Sequence, residues 1–311
     1  MATPAPPIEI ITRSKRYPPA NRCIYCDRKS VKRTVEHIIP FGLAANSLTI
    51  GAASCKRCQE KIKTFETHCL RHMWWPFRTQ IGVPSRGKET PENFRLRKAR
   101  ITEVHPDGSI EYKKLSVTPL PPNEFPLYYV AYRFPSPGVL IGRDPAIPIS
   151  FEAWVAHSEE RVLAHIQDRE AVNLGPGEPG PFLALLAKMA HGFAVAELGA
   201  NAFHPVLREC IRGHTPPSGH WVGGDPENPA LEPSFHKIGI HFEHVDATCY
   251  VVVTIRLFCF VGTPQYRVVV GALAGPPDQL SLAKQTVHTI EIKKPPPIGK
   301  LTPLTFAITG I

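Results

Sequence analysis

Residues 23–78 read CIYCDRKSVKRTVEHIIPFGLAANSLTIGAASCKRCQEKIKTFETHCLRHMWWPFR. Two Cys-x2-Cys pairs, Cys23/Cys26 and Cys55/Cys58, are separated by 28 residues, and Glu36-His37-Ile38-Ile39-Pro40 lies between them. The chain opens without a basic-then-apolar leader, so the expected compartment is the cytoplasm, where thiols stay reduced. Four cysteines at this spacing then predict one tetrahedral zinc site rather than two disulfides. Each pair makes a tight turn that aims two thiolates at one ion, and the segment between becomes a hairpin clipped at both ends. So short a segment cannot fold on its own small core, and the metal supplies the missing free energy. The alternative is four buried free cysteines.

Around the cysteines, local patterns predict two strands and a helix. Thr34–Ile39 is β-branched and apolar around His37, and Pro40-Phe41-Gly42 ends it. Leu43–Ile50 fits a loop and a second strand. From Lys56 a helix is expected to about His72, because Ile62, Phe65, Cys69 and Met73 fall on one face. Trp74-Trp75-Pro76-Phe77 stops it. These aromatics are expected to pack against the rest of the chain, with stacking on bases as the alternative. His68 and His72, at i and i+4, have a spacing that can hold a metal, though packing is the expected role.

Those pieces resemble the HNH endonucleases of the ββα-metal fold, in the subgroup with zinc knuckles. The resemblance rests on Cys23/Cys26, Glu36-His37-Ile38-Ile39-Pro40, Ala53-Ser54-Cys55-Lys56-Arg57-Cys58 and Phe65-Glu66, and covers roughly 60 residues. It implies hydrolysis of DNA phosphodiester bonds with His37 as general base, since a neutral imidazole can deprotonate water near pH 7. It also implies a catalytic Mg2+ or Mn2+ ion, separate from the structural zinc, with Glu36 as a ligand. Gln59 stands where the family commonly has Asn or His as the second ligand, and Glu66 on the same helical face is the next candidate. Asn46 would be the asparagine that orients the imidazole, with a loop cap as its alternative role. A metal on the scissile phosphate would neutralise developing charge and stabilise the leaving oxygen. Two rival expectations are a zinc-stapled nucleic-acid-binding protein with a decayed catalytic site, and a ligand- or partner-sensing C-terminal domain.

Charge points to the same end of the chain. The net charge is +9, yet residues 1–100 carry 20 Lys/Arg against 7 Asp/Glu while residues 101–311 carry 16 against 20. A segregated positive field favours a polyanion, here DNA or, alternatively, RNA. The expected contacts are Arg28, Lys29, Lys32, Arg33, Lys56, Arg57, Lys61 and Lys63, and a homodimer is expected if both strands of a duplex are cut. No run of about 18 apolar residues is evident, so no membrane partner is expected.

The expected fold class is α+β: a basic arm over 1–22, the zinc-stapled unit over 23–80, a basic linker over 81–100, and a larger domain over 101–311. In that domain, strands are predicted over 101–104, 110–113, 127–133 and 139–141, with a hairpin turn at His105-Pro106-Asp107-Gly108. A helix is predicted over 158–169, and the most apolar one over 182–198 is the expected centre, with His191 and Glu197 as satisfied polar groups near it. Segments 238–242, 250–260, 266–273 and 287–292 predict a C-terminal antiparallel meander on that helix.

Overall fold

A computed structural model of the chain describes residues 8–83, 94–107, 110–147, 150–172, 178–227, 229–275, 286–296, 298 and 301–307. The N-terminal unit begins with β1 (Lys15–Tyr17), then β2 (Arg33–His37), a single turn α1 (Phe41–Ala44), β3 (Leu48–Cys55) and α2 (Lys56–Thr67). β3 is central, parallel to β1 and antiparallel to β2. It is longer than the apolar pattern predicted because both its faces are covered: every residue but Ala52 is buried. Extra residues at Gly51–Ala53 bulge the β2–β3 pairing, and Ala52 takes a positive φ of 43°. Basic residues near the N-terminus suggested a loose arm, but Tyr17 is buried and anchors β1.

α2 leaves β3 without a loop, so the second cysteine pair straddles the end of a strand and the start of a helix. The expected single helix to His72 changes at His68 into a π-helical turn, His68–Met73, before α3 (Trp75–Gln80). The wider turn keeps Cys69, Met73 and Trp74 all on the core side.

Further along lie β4 (Phe94–Val104), β5 (Ile110–Leu120), β6 (Tyr128–Arg133), β7 (Glu152–His157), α4 (Glu159–Leu163), β8 (Glu170–Val172) and α5 (Pro179–Leu198). They are followed by β9 (Phe203–Pro205), α6 (Arg208–Ile211), β10 (Val222–Gly224), β11 (His236–Val245), β12 (Thr248–Leu257), β13 (Gln265–Leu273), β14 (Thr286–Ile290) and β15 (Thr302–Ala307). Two small sheets run β5–β4–β8 and β15–β7–β6, and a large one runs β10–β13–β12–β11–β14 with β9 also on β13. The predicted meander is therefore present, and α5 packs on β10 to β13.

Several expectations change. The stretch 94–100, assigned to a linker, is the first half of β4, whose Phe94, Leu96 and Ala99 are buried. Val139–Ile141 is not a strand but part of a 3-10 turn, entered from Pro137 and closed by Gly142 at φ 63°. The helix over 158–169 shortens to α4, which buries no residue and so has no apolar face to hold a longer helix. Gly108 of the expected hairpin turn and residues 84–93 of the expected linker lie outside the described residues.

Length and hydropathy alone would let α5 cross a membrane, contrary to the sequence reading, but 72% of that window is buried within the fold. One apolar cluster runs from Tyr17 and Ile24 through α5 to Val270 and Ile292, so the N-terminal unit shares its core with the rest of the chain. Trp74 is the joint. It is fully buried, donates Nε1–H to the Val130 carbonyl at 2.8 Å, stacks on Tyr129 and meets Phe182 and Phe258 edge-on. The aromatic run is packing material, as expected.

Candidate metal centre and basic rim

The four sulfur atoms of Cys23, Cys26, Cys55 and Cys58 lie within 4.8 Å of one another, and Cys26 Sγ is 3.7 Å from Cys55 Sγ. A tetrahedron with ~2.3 Å metal–sulfur bonds has edges of ~3.8 Å, so the cluster is geometrically compatible with a structural metal such as zinc. The first knuckle is closed by Cys23 N–H on the Arg28 carbonyl and Asp27 N–H on the Cys23 carbonyl, both at 2.9 Å, with Asp27 at φ 63°. Arg28 donates to Cys26 Sγ at 3.4 Å and to Cys55 Sγ at 3.7 Å, offsetting thiolate charge. Four thiolates would complete such an ion's shell and leave no position for a reacting water.

This knuckle is gripped from behind by the second half of the chain. The Ile24 carbonyl accepts from His191 Nε2 at 2.7 Å and from Arg208 Nε at 3.2 Å. Burial pushes the His191 pKa down to about 4, more than the carbonyl raises it, so the ring is a neutral donor. His191 is thus a core polar group. Its Nδ1 is buried without a hydrogen-bond partner, whereas Glu197 is satisfied, by Tyr17, by Lys15 Nζ at 3.0 Å and by His288 Nε2 at 2.9 Å.

On β2, Glu36 and His37 face opposite sides, as neighbours on a strand must. His37 is half-buried, its Nε2 2.9 Å from Asn46 Oδ1, and Phe41 meets the ring edge-on. The His37–Asn46 contact is therefore made. Glu36 turns the other way, into the fold, where it is 5% exposed. There its Oε1 lies 2.8 Å from Lys188 Nζ, and Glu66 Oε1 lies 3.0 Å from the same atom. Lys188 also donates to the His37 carbonyl, and the Ile38 carbonyl is 3.5 Å away. Burial would strip the proton from this lysine, but the two carboxylates outweigh burial and hold its pKa above the ordinary value. The Tyr25 phenol, buried beside Glu36 and Glu66, is pushed up by burial and by both carboxylates. Gln59 points elsewhere and donates to Thr34 Oγ1. The structure thus brings Glu36 and Glu66 together but around an ammonium, and it leaves Gln59 and the His37 imidazole outside that group. With the Lys188 ammonium seated among them, these oxygens leave no place for a Mg2+ or Mn2+ ion.

Beside the cysteines is a cleft lined by Cys26, Arg28, Arg57, Cys58, Lys61, Arg212 and His214. Arg57 and Lys61 are exposed one turn apart on α2, and Lys29, Lys32, Lys56 and Lys63 are exposed nearby on the same unit. Arg33 is not part of this rim. Its guanidinium is spent on the carbonyls of Ala52, Lys29 and Val31, which fixes the connector before β2. Arg212 and His214, just past α6, both lean on Glu209 at 2.7 Å.

Sequence reading missed Lys188, Arg208, Arg212 and His214. A lone lysine within the apolar run 182–196 was the available signal for the first; the others carried none. His68 and His72 have ring centroids 5.5 Å apart, and the Glu178 N–H reaches His68 Nε2 at 3.4 Å, a packing role. Compared with known proteins, the chain matches no protein family model, no curated protein and no solved structure.

Proposed function

We propose that this chain binds nucleic acid through its metal-stapled N-terminal unit, whose sequence motifs resemble those of the HNH endonucleases. The observation that carries this reading is the cleft beside the four cysteines, where Arg28, Arg57, Lys61 and Arg212 converge from two parts of the chain. Clustered guanidinium and ammonium groups recognise phosphate oxygens and release counterions on binding. The remaining exposed lysines of the unit extend that field along the hairpin and α2.

A second reading, hydrolysis of the bound phosphodiester, is favoured by His37 and Asn46. A carboxamide that fixes an imidazole near the surface is the arrangement a general base needs. Hydrolysis would draw its cation from donors other than the Glu36–Glu66 pair, which is committed to Lys188.

One assay separates the two. Zinc-loaded protein is incubated with duplex plasmid and with single-stranded RNA, with and without Mg2+ or Mn2+, beside a His37→Ala variant. Retention of nucleic acid without strand scission is the expected outcome. Scission that needs the divalent ion and disappears in His37→Ala would establish the second reading. Neither retention nor scission would contradict both.

A further inference from the structure

Lys188 is the one formal charge on the buried face of α5, and it is 1% exposed. An ammonium in such a place costs several kcal/mol unless opposite charges and acceptors surround it. Here they do. Its three N–H donors meet Glu36 Oε1 from β2, Glu66 Oε1 from α2 and the carbonyl of His37, and the Ile38 carbonyl is a fourth oxygen close by. Two carboxylates and two carbonyls at the junction of hairpin and helix form an oxygen cage of the kind that holds a hard cation. In this molecule the cation arrives on a side chain.

We propose that the Lys188 ammonium is the resident cation of the hairpin–helix junction, standing where a divalent ion would bind, so that the chain carries a metal ion at the four cysteines and none at Glu36 and Glu66. A divalent ion on those carboxylates would have to expel Lys188 from a place with almost no solvent, or sit beside its positive charge. Either is strongly opposed in a site of low dielectric. The same contacts tie α5 to β2 and α2, so one residue neutralises the junction and docks it on the core.

Metal binding tests this independently of nucleic-acid binding, so failure of one leaves the other standing. Zinc-loaded wild type is titrated with Mn2+ alone, read by the Mn2+ paramagnetic resonance signal and by the shift in Tm. The same is done with Lys188→Met, which keeps chain length but removes the charge, and with the double variant Lys188→Met/Glu36→Gln. Wild type is expected to take up no Mn2+ and to show no Tm shift at millimolar ion. Lys188→Met should melt lower and recover at least half of the loss when Mn2+ is added, and the double variant should not respond. Should Lys188→Met fail to fold in any ion, the wild-type titration still decides. Stoichiometric Mn2+ binding by wild type, abolished by Glu36→Gln or Glu66→Gln, would overturn the proposal.

Discussion

His236 is fully buried with both ring nitrogens engaged: Nε2 donates to the Leu43 carbonyl at 3.1 Å, and Nδ1 accepts from Phe258 N–H at 2.9 Å. Only the neutral ring suits those partners. Burial pushes its pKa down to about 3, and burial holds His191 down to about 4. In the unfolded chain both titrate near 6.5. Below that value the unfolded state binds protons that the folded state refuses, so stability falls as pH drops from about 6.5 towards the folded values. The slope is about 1.4 kcal/mol per pH unit for each histidine while both conditions hold. Urea unfolding at pH 7 and pH 5.5 should therefore give a lower midpoint at pH 5.5, and His236→Asn should flatten the difference. Equal wild-type midpoints would refute it. At this scale the sequence was partly informative. The thiols announced themselves by spacing, and Asn46 was recognisable as a partner for His37. The fate of Glu36 was not, because its partner Lys188 lies on a helix far along the chain and only packing brings the two together.

Elements show the same division between local and distant causes. The β2–β3 hairpin, α2 and the central apolar helix were legible because hydrophobic period and breaker residues act locally. β1, β7 and β15 were not, since each is a short strand stabilised by pairing with segments remote in sequence. The length of α2 was misjudged for another reason: packing of Trp74 into the shared core converts its last turn to π geometry. A metal would add to the stability of the hairpin and α2 by tying together thiols from a turn, a strand end and a helix start, which are otherwise joined by Ile24 N–H on the Ala53 carbonyl at 2.9 Å and by Arg28 across Cys26 and Cys55. Metal analysis should find one zinc ion per chain. Chelation, or Cys58→Ser, should remove it and lower Tm on the order of 10 °C. A metal-free protein with unchanged Tm would show that the four cysteines are merely buried.

Across the whole molecule, charge and core are distributed differently. The main core runs from Tyr17 to Ile292, with a smaller cluster of Phe94, Leu96, Leu120 and Phe125 at β4 and β5, whereas the positive excess belongs to the first hundred residues. Composition alone revealed the second fact. It could not reveal the first, nor that Arg208 grips a cysteine knuckle and Arg212 joins the cleft beside it. The C-terminal part thus braces the four-cysteine unit and adds to its cationic rim. On the proposed function this rim meets a phosphate backbone, so binding should depend on salt. Fluorescence anisotropy of a labelled duplex should give a Kd that weakens steeply between about 50 and 200 mM salt. Arg57→Ala/Lys61→Ala should weaken binding and reduce the log–log slope by about 2, one for each lost phosphate contact. Binding with no salt dependence, or a double variant with the wild-type slope and affinity, would contradict the account.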